Sequence, residues 1–139
     1  MKRIIVICLV AFAILCACSG VLAEESTSTR ASDYFGTYGI SLSSAGSGKI
    51  NFTMNCSSVG TASQLGVSSY YVQKYTSSGW VSVASGGSNY KYNTSSYALS
   101  KTFNGVSGEK YRVKCTFACA KSDGTMETKT YTSRTITAN

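Results

Sequence analysis

The sequence predicts an all-β domain, a sandwich of about seven antiparallel strands, preceded by a signal-peptide helix. Apolar and polar residues alternate with period two, and Gly and Ser clusters interrupt the alternation roughly every 8 to 12 residues. No helical period survives after residue 23. The chain of 139 residues suits one domain. Its predicted parts are a signal peptide over 1–23, a flexible segment over 24–33 and the β-domain over 34–139.

A secretory signal is predicted at the N-terminus. Lys2 and Arg3 form a charged start, residues 4–15 are an apolar run, and small residues precede a cleavage point after Ala23. The run is shorter than the roughly 20 apolar residues that a membrane-spanning helix needs. We therefore expect a secreted mature chain that starts at Glu24 and has no membrane span.

A second processing route would use Cys18. The sequence Leu15-Cys16-Ala17-Cys18 resembles a bacterial lipobox, in which the last cysteine is lipidated and becomes the new N-terminus. Cys16 stands where that pattern prefers a small or aliphatic residue, so the match is partial. In this alternative the domain is lipid-anchored at the cell surface, and the residues after Cys18 form a flexible tether.

The sequence pattern of the first half of the domain predicts four strands. Alternation over 38–42 and over 50–56 indicates two strands joined by a Gly/Ser turn. A loop over 57–66 leads to a strand over 67–75, and we expect its Tyr70 and Val72 to lie inside. The turn at 76–79 then closes a hairpin onto a strand over 80–83.

The sequence pattern of the second half predicts three more strands. A Gly-rich loop over 86–95 carries Tyr90 and Tyr92 and leads to a strand over 97–103. The strongest alternation of the chain follows at 111–119, and a Thr- and Tyr-rich strand over 127–137 ends the domain.

Lys101 falls on the apolar side of its predicted strand. An inward-pointing lysine hinders edge-to-edge pairing of sheets, since its stem packs while its ammonium reaches solvent. The chain has no proline that could protect an edge instead. We therefore interpret Lys101 as edge protection and not as a catalytic lysine.

The segment Val106-Ser107-Gly108-Glu109-Lys110-Tyr111 resembles the tyrosine corner of fibronectin type III and immunoglobulin-like sandwiches. In those domains the tyrosine begins strand F, and its hydroxyl bonds to nearby backbone, which implies a structural role for Tyr111. The strand over 70–75, the hairpin after it and Trp80 resemble strands C and C′ of the same domains. The resemblance covers roughly residues 34–138, although no proline precedes Tyr111 and no tryptophan lies in the second strand.

A more specific resemblance rests on the opening at residues 30–35, the strand start Gly48-Lys49-Ile50 and the pair Tyr131-Thr132. These features are similar to a family of small exported bacterial proteins of unknown function. The family has no assigned activity, so it implies no functional residues here.

The predicted mature domain keeps three cysteines, Cys56, Cys115 and Cys119. An odd number in an exported protein predicts one disulfide and one free thiol. In the sandwiches that the chain resembles, strands B and F run in the same direction, which implies a bridge from Cys56 to Cys119, with Cys115 as the alternative partner. The alternative is that all three cysteines are small buried thiols, which is expected if the source organism lives without oxygen.

Composition excludes several kinds of chemistry. The chain has no histidine, so it lacks an imidazole base and cannot form a His-ligated zinc site. Its six acidic residues lie in the N-terminal segment, in turns or at strand margins, and none alternates onto an apolar face. We expect no enzyme activity, no metal site and no cofactor.

The aromatic residues are the stronger functional lead. Tyr71, Tyr75, Tyr90 and Tyr92 are too many for the core alone, and the direction in which Trp80 faces stays open. Exposed rings beside Ser, Thr and Asn suit sugar stacking or a protein interface. The other reading is that tyrosine simply packs well along pleated sheets.

The net charge bears on which classes of partner the domain is expected to bind. Loss of the signal leaves eleven basic and six acidic side chains, a net charge of +5, which favours an anionic cell-wall polymer or an acidic cell-surface glycan. The alternative is that this modest positive charge only keeps the domain soluble. Lys110, Arg112 and Lys114 share one strand face but make too small a footprint for nucleic acid.

These observations predict a secreted, non-enzymatic binding or surface-associated module. One form of it is a carbohydrate-binding module that uses Trp80, Tyr90 and Tyr92. The alternative is a structural or protein-interaction domain that binds an extracellular protein through a strand edge.

Overall fold

The computed structural model describes residues 32–139 and contains six β-strands and no helix in that range. The strands are β1 (Phe35–Gly46), β2 (Lys49–Thr76), β3 (Gly79–Asn104), β4 (Lys110–Ala120), β5 (Met126–Thr132) and β6 (Ile136–Thr137). All strand pairs are antiparallel. The predicted all-β class is therefore confirmed for the described residues.

The signal peptide over 1–23, the lipidation site at Cys18 and most of the segment over 24–33 lie outside the described residues. Across 32–139, no helix has the length and apolar character needed to cross a membrane.

Strands β2 and β3 are much longer than predicted. The loops predicted over 57–66 and 86–95 are wrong, because the backbone stays extended through both segments. Irregular pairing between Ser57 and Ala62, together with positive φ angles at Gly60, Ser88 and Asn93, bends the strands without ending them. Two pairs of predicted strands thus become one strand each, whereas the predicted strand over 127–137 is divided into β5 and β6. The structure therefore has six strands where the sequence predicts about seven.

The two halves of β2 have different neighbours. Its first half pairs with β1 on one side and with the second half of β3 on the other, so that Met54 lies opposite both Ile40 and Leu99. Its second half pairs with the first half of β3 and with β4, and Val72 lies opposite Ala84 and Val113. Strands β5 and β6 complete this second group by pairing with β4.

One hydrophobic cluster joins the two groups of strands. Phe35, Ile50, Met54, Cys115 and Phe117 are fully buried in it. Burial of one such large apolar side chain contributes roughly 1.5–3 kcal/mol. Three aromatic contacts link the groups directly: Tyr38 with Phe117 at 5.9 Å, Phe52 with Tyr70 at 5.7 Å and Phe103 with Tyr111 at 5.5 Å between ring centroids.

The C-terminal residues close one end of the domain. Gly48 donates its N–H to the carbonyl of Asn139 at 2.7 Å, and the Ala138 N–H bonds to the Glu109 carbonyl at 3.0 Å. Gly48 has a φ of 77°, and a Cβ there would lie 2.5 Å from the Gly105 carbonyl oxygen. A side chain at position 48 would therefore disrupt this end.

Tyr111 ties the turn before β4 to the core. Its hydroxyl accepts a hydrogen bond from the Val106 N–H at 2.9 Å, and the residue is 2% exposed. A Cβ on Gly105 would lie 2.9 Å from the Tyr111 ring, so glycine allows the close approach. This hydrogen bond is the contact that a tyrosine corner implies.

Lys101 lies on the second half of β3, opposite Phe52, between the partly buried Leu99 and Phe103. The lysine itself is exposed although its neighbours on the same side pack against the core. Among the described strands, β3 pairs with β2 alone, so Lys101 stands on an edge strand.

We expect Tyr111→Phe to lower the free energy of unfolding by about 1–2 kcal/mol, because the Val106 N–H loses its acceptor. Urea denaturation monitored by tryptophan fluorescence measures this change. Tyr71→Phe is the matched control, since Tyr71 is 43% exposed, and it should stay within about 0.5 kcal/mol of the parent. Equal losses in both variants would show that the Tyr111 hydroxyl has no special role.

Candidate functional site

Five aromatic side chains lie on the outer side of the sheet formed by β4, β5, the second half of β2 and the first half of β3. Directly opposed residues of neighbouring strands share a face, and successive residues alternate between faces. Val72 and Val113 point into the core, so the residues next to them along β2 and β4 point outward. We call the outward set the aromatic face; its members are Tyr71, Tyr75, Trp80, Tyr90 and Tyr92.

Solvent exposure agrees with this placement. Tyr92 is 65% exposed, Tyr75 51% and Tyr71 43%, while Trp80 and Tyr90 are half-buried. The core cluster contains no member of the aromatic face. The energy of burial therefore does not explain why these rings are present.

Pairing register brings the five rings onto one surface. Tyr75 lies opposite Trp80, and Tyr71 lies opposite Ser85 on one side and Lys114 on the other. The expectation that Tyr90 and Tyr92 sit in a loop is wrong, because both belong to β3.

Small neighbours surround Tyr90. It lies opposite Gly66, which in turn lies opposite Ala118 of β4. A Cβ on Gly66 would collide with the Asn89 carbonyl oxygen and lie 2.8 Å from the Tyr90 Cα. Glycine thus lets β2 and β3 approach closely at the point where Tyr90 is presented.

Trp80 is the centre of a fixed cluster. Its ring lies 5.2 Å from that of Tyr75, tilted by 59°. The Arg112 guanidinium carbon lies 4.2 Å from the Trp80 ring centroid, and the Arg112 Nε–H bonds to the Gln73 Oε1 at 2.8 Å. A cation–π contact of this kind contributes about 0.5–2 kcal/mol and orients both groups. Arg112 is therefore held against the aromatic face.

The aromatic face also carries a row of basic side chains. Lys110, Arg112 and Lys114 occupy alternate positions of β4, and Lys114 lies opposite Tyr71. Lys74 forms an ion pair with Glu109 at 3.3 Å, and Lys129 forms one with Glu127 at 2.6 Å. The basic row is thus not neutralised by a carboxylate of the described residues.

The acidic residues with shifted pKa values favour their charged forms. A hydrogen bond from Lys129 lowers the pKa of Glu127, and hydrogen bonds from Thr125 lower the pKa of Asp123, which lies in the turn between β4 and β5. An acid catalyst at neutral pH needs the opposite shift.

The three cysteines are buried free thiols in the structure, so the predicted Cys56–Cys119 bridge is not formed, nor is the Cys56–Cys115 alternative. All three pack in the core as small apolar groups. Burial raises the pKa of Cys56 from 9.0 to about 12 and also raises the pKa values of Cys115 and Cys119. The residues 32–139 contain no group of three or more side chains that could hold a metal ion.

The outer side of the other group of strands carries different side chains. Its rows carry small residues, such as Ser41, Thr53 and Ser100 across one row, where Thr53 and Ser100 are hydrogen-bonded at 2.8 Å. An open groove of about 530 Å³ lies beside it and contains no carboxylate among its lining residues, which include Cys56, Lys91 and Tyr97. The large exposed rings are therefore concentrated on the aromatic face.

The structure places the site residues that the sequence singled out at opposite ends of one face, and it adds others to that face. Trp80, Tyr90 and Tyr92 share one face with Tyr71 and Tyr75. The contact of Arg112 with Trp80 was not predicted, since it depends on the pairing of β4 with β2 and of β2 with β3. The alternation of basic residues at 110–114 is the only signal of it in the sequence.

No protein-family model, curated protein or solved structure matches this chain. The geometry of the aromatic face is therefore the basis for any functional interpretation.

We expect thiol reagents to react slowly with the folded protein at pH 8, because the raised pKa values and burial leave little accessible thiolate. In denaturant, a colorimetric thiol assay on residues 24–139 should count three reactive thiols per chain. A count of one would instead show that the protein forms the disulfide that its odd cysteine number predicts.

The same shift predicts a pH effect on stability. An unfolded thiol ionises near its ordinary pKa of 9.0, whereas folded Cys56 keeps its proton until about pH 12. This contribution to stability is complete below pH 9 and is lost as the pH rises toward 12. Denaturation curves at pH 8 and pH 10.5 should show a smaller loss in Cys56→Ala than in the parent.

Proposed function

We propose that this chain is an exported, non-enzymatic β-sandwich module that binds a glycan chain through its aromatic face. The observation that carries the proposal is the concentration of five rings on one solvent-facing sheet surface, outside the core. Flat aromatic rings bury much apolar surface, and Tyr and Trp combine this with a polar group. Sugar rings offer matching apolar faces with hydroxyls at their edges.

The sandwich architecture is supported by the division of β2 and β3 into halves. One layer would hold β1, the first half of β2 and the second half of β3; the other would hold the remaining segments. Counted by halves, the long strands and β1, β4 and β5 give seven segments, as in fibronectin type III domains. The aromatic contacts of Tyr38 with Phe117 and Tyr131 are of the kind that joins two such layers.

The length of the aromatic face favours an extended ligand. At roughly 3.3 Å per residue, Trp80 and Tyr90 lie about 30 Å apart along β3. A monosaccharide would contact one end of this surface. A polymer would contact the Trp80–Tyr75 cluster, Tyr71 and the Tyr90–Tyr92 end together, and each weak contact would then raise the effective concentration for the next.

A binding role without catalysis is supported by the state of the acidic residues. Glu109 and Glu127 are engaged with lysines, and Asp123 bonds to Thr125. None of these carboxylates lies among the rings of the aromatic face. Export is supported by the charged start, apolar run and small-residue cleavage point of residues 1–23. Secretion after Ala23 and lipid anchoring through Cys18 both present the domain outside the cytoplasm.

We expect Tyr90→Ala with Tyr92→Ala, and separately Trp80→Ala, to weaken retention on isolated cell walls and on mucin at least tenfold, about 1.4 kcal/mol. Each variant removes rings that would stack on sugar faces, and co-sedimentation with the insoluble polymers measures the loss. Val59→Ala with Val106→Ala is the control, since both valines are 58% exposed and lie away from the aromatic face. Retention unchanged in both ring variants would contradict the glycan proposal.

The edge of β3 supports a second candidate, protein interaction by strand addition. Among the described strands β3 pairs only with β2, and it has no buried residue along its 26 residues. The first twelve residues of β3 carry no charge, and Val81 and Val83 are 45% and 44% exposed. An uncharged, unpaired edge is a template for another strand.

A second copy of the chain is the simplest probe of this edge. If the edge pairs with protein strands, sedimentation should show a dimer at high protein concentration, and Val81→Lys with Val83→Lys should dissociate it by charge repulsion. Val59→Lys with Val106→Lys should leave the dimer intact. A monomer at all concentrations would count against pairing between copies.

A further inference from the structure

The basic row of β4 has a regular geometry. Lys110, Arg112 and Lys114 alternate with the buried Tyr111 and Val113, so all three point to the side of the aromatic face. Alternate residues of a strand lie about 7 Å apart, so the row spans about 14 Å. Arg112 is fixed by Trp80 and Gln73 at the middle of the row, whereas Lys110 and Lys114 are exposed.

The row runs directly beside aromatic rings. Lys114 lies opposite Tyr71 and Arg112 lies opposite Gln73, while Tyr75 follows two residues later on β2. Neighbouring strands are about 4.8 Å apart. A ligand whose ring stacks on Tyr71 or Tyr75 therefore places its ring substituents within reach of the cationic groups.

The charge of this surface is of one sign. The described acidic side chains that form ion pairs do so with Lys74 and Lys129, not with the row. A cation beside apolar rings attracts anionic groups more strongly than an isolated surface lysine, since the rings exclude part of the solvent. Charge complementarity thus favours an anionic ligand over a neutral one.

We infer that the aromatic face binds a linear acidic polysaccharide, with sugar rings on Tyr71, Tyr75 and Trp80 and carboxylate or sulfate groups on Lys110, Arg112 and Lys114. The inference rests on the proposed glycan binding and adds the ligand class and the residues that select it. The guanidinium of Arg112 suits a planar carboxylate or a sulfate, and the two lysines act as point charges on either side.

The test compares polymers and variants of the exported protein. Affinity electrophoresis with hyaluronan, which carries carboxylates, and chondroitin sulfate, which adds sulfates, should show binding at least tenfold tighter than with neutral dextran. Binding to the acidic polymers should weaken as salt rises. Lys110→Gln with Lys114→Gln should lose about tenfold in affinity for both acidic polymers. A loss with chondroitin sulfate alone would assign the row to sulfate.

The control variant is Lys49→Gln with Lys101→Gln, which removes the same charge from exposed positions away from the row. It should lose less than twofold. Equal losses in the two variants would overturn the inference, because net charge alone would then explain binding. Binding of a thymidine oligonucleotide as tightly as of chondroitin sulfate would also overturn it, since single strands combine stacking with charge.

The design separates this inference from the proposed function. If dextran and the acidic polymers bind equally and Trp80→Ala weakens both, glycan binding stands and the acidic ligand class is wrong. If the parent protein binds none of the polymers, both are wrong. The thermal unfolding midpoints of the lysine variants should match that of the parent, because these lysines are exposed. A cooperative thermal transition in every variant, Trp80→Ala included, verifies that the comparison is made on folded protein.

Discussion

Pairing of β2 along both of its edges is the constraint on which the rest of the structure depends. Its first half lies between β1 and β3, and its second half lies between β3 and β4. Because side chains alternate along a strand, the pairing of β2 determines which residues of β1, β3 and β4 enter the core. A shift by one residue would bury Tyr71 and expose Val72, so the core and the aromatic face are set by the same register.

The candidate site depends on that register and on the small residues that lie next to Tyr90. Gly66 allows β3 to approach closely where Tyr90 projects, and Ala118 continues the same row with a small side chain. At the other end, Tyr75, Trp80 and Arg112 hold one another in place. These contacts restrict the rotamers of Tyr75, Trp80 and Arg112, which lowers the side-chain entropy that a bound polymer would have to offset at this end.

Much of the fold was predictable because alternation is a local property. The strands over 50–56 and 111–119 were recognised from their apolar positions, and Tyr70 and Val72 face the core as expected. The loops predicted over 57–66 and 86–95 failed for a physical reason. Gly and Ser permit a turn but do not require one, and the pairing of β2 with β3 kept both segments extended. The cysteine pairing also lay beyond local information, since it depends on how the two groups of strands meet.

By itself, the sequence determined the β class, the aromatic residues available for binding and the chemistry that cannot occur without histidine. Those properties follow from residue types and short-range spacing. Only the tertiary structure decided that Trp80, Tyr71 and Tyr92 share one face, that Arg112 lies over Trp80 and that the thiols stay buried and free. These facts depend on register between residues far apart in the chain, because each hydrogen-bonded rung selects which distant side chains become neighbours.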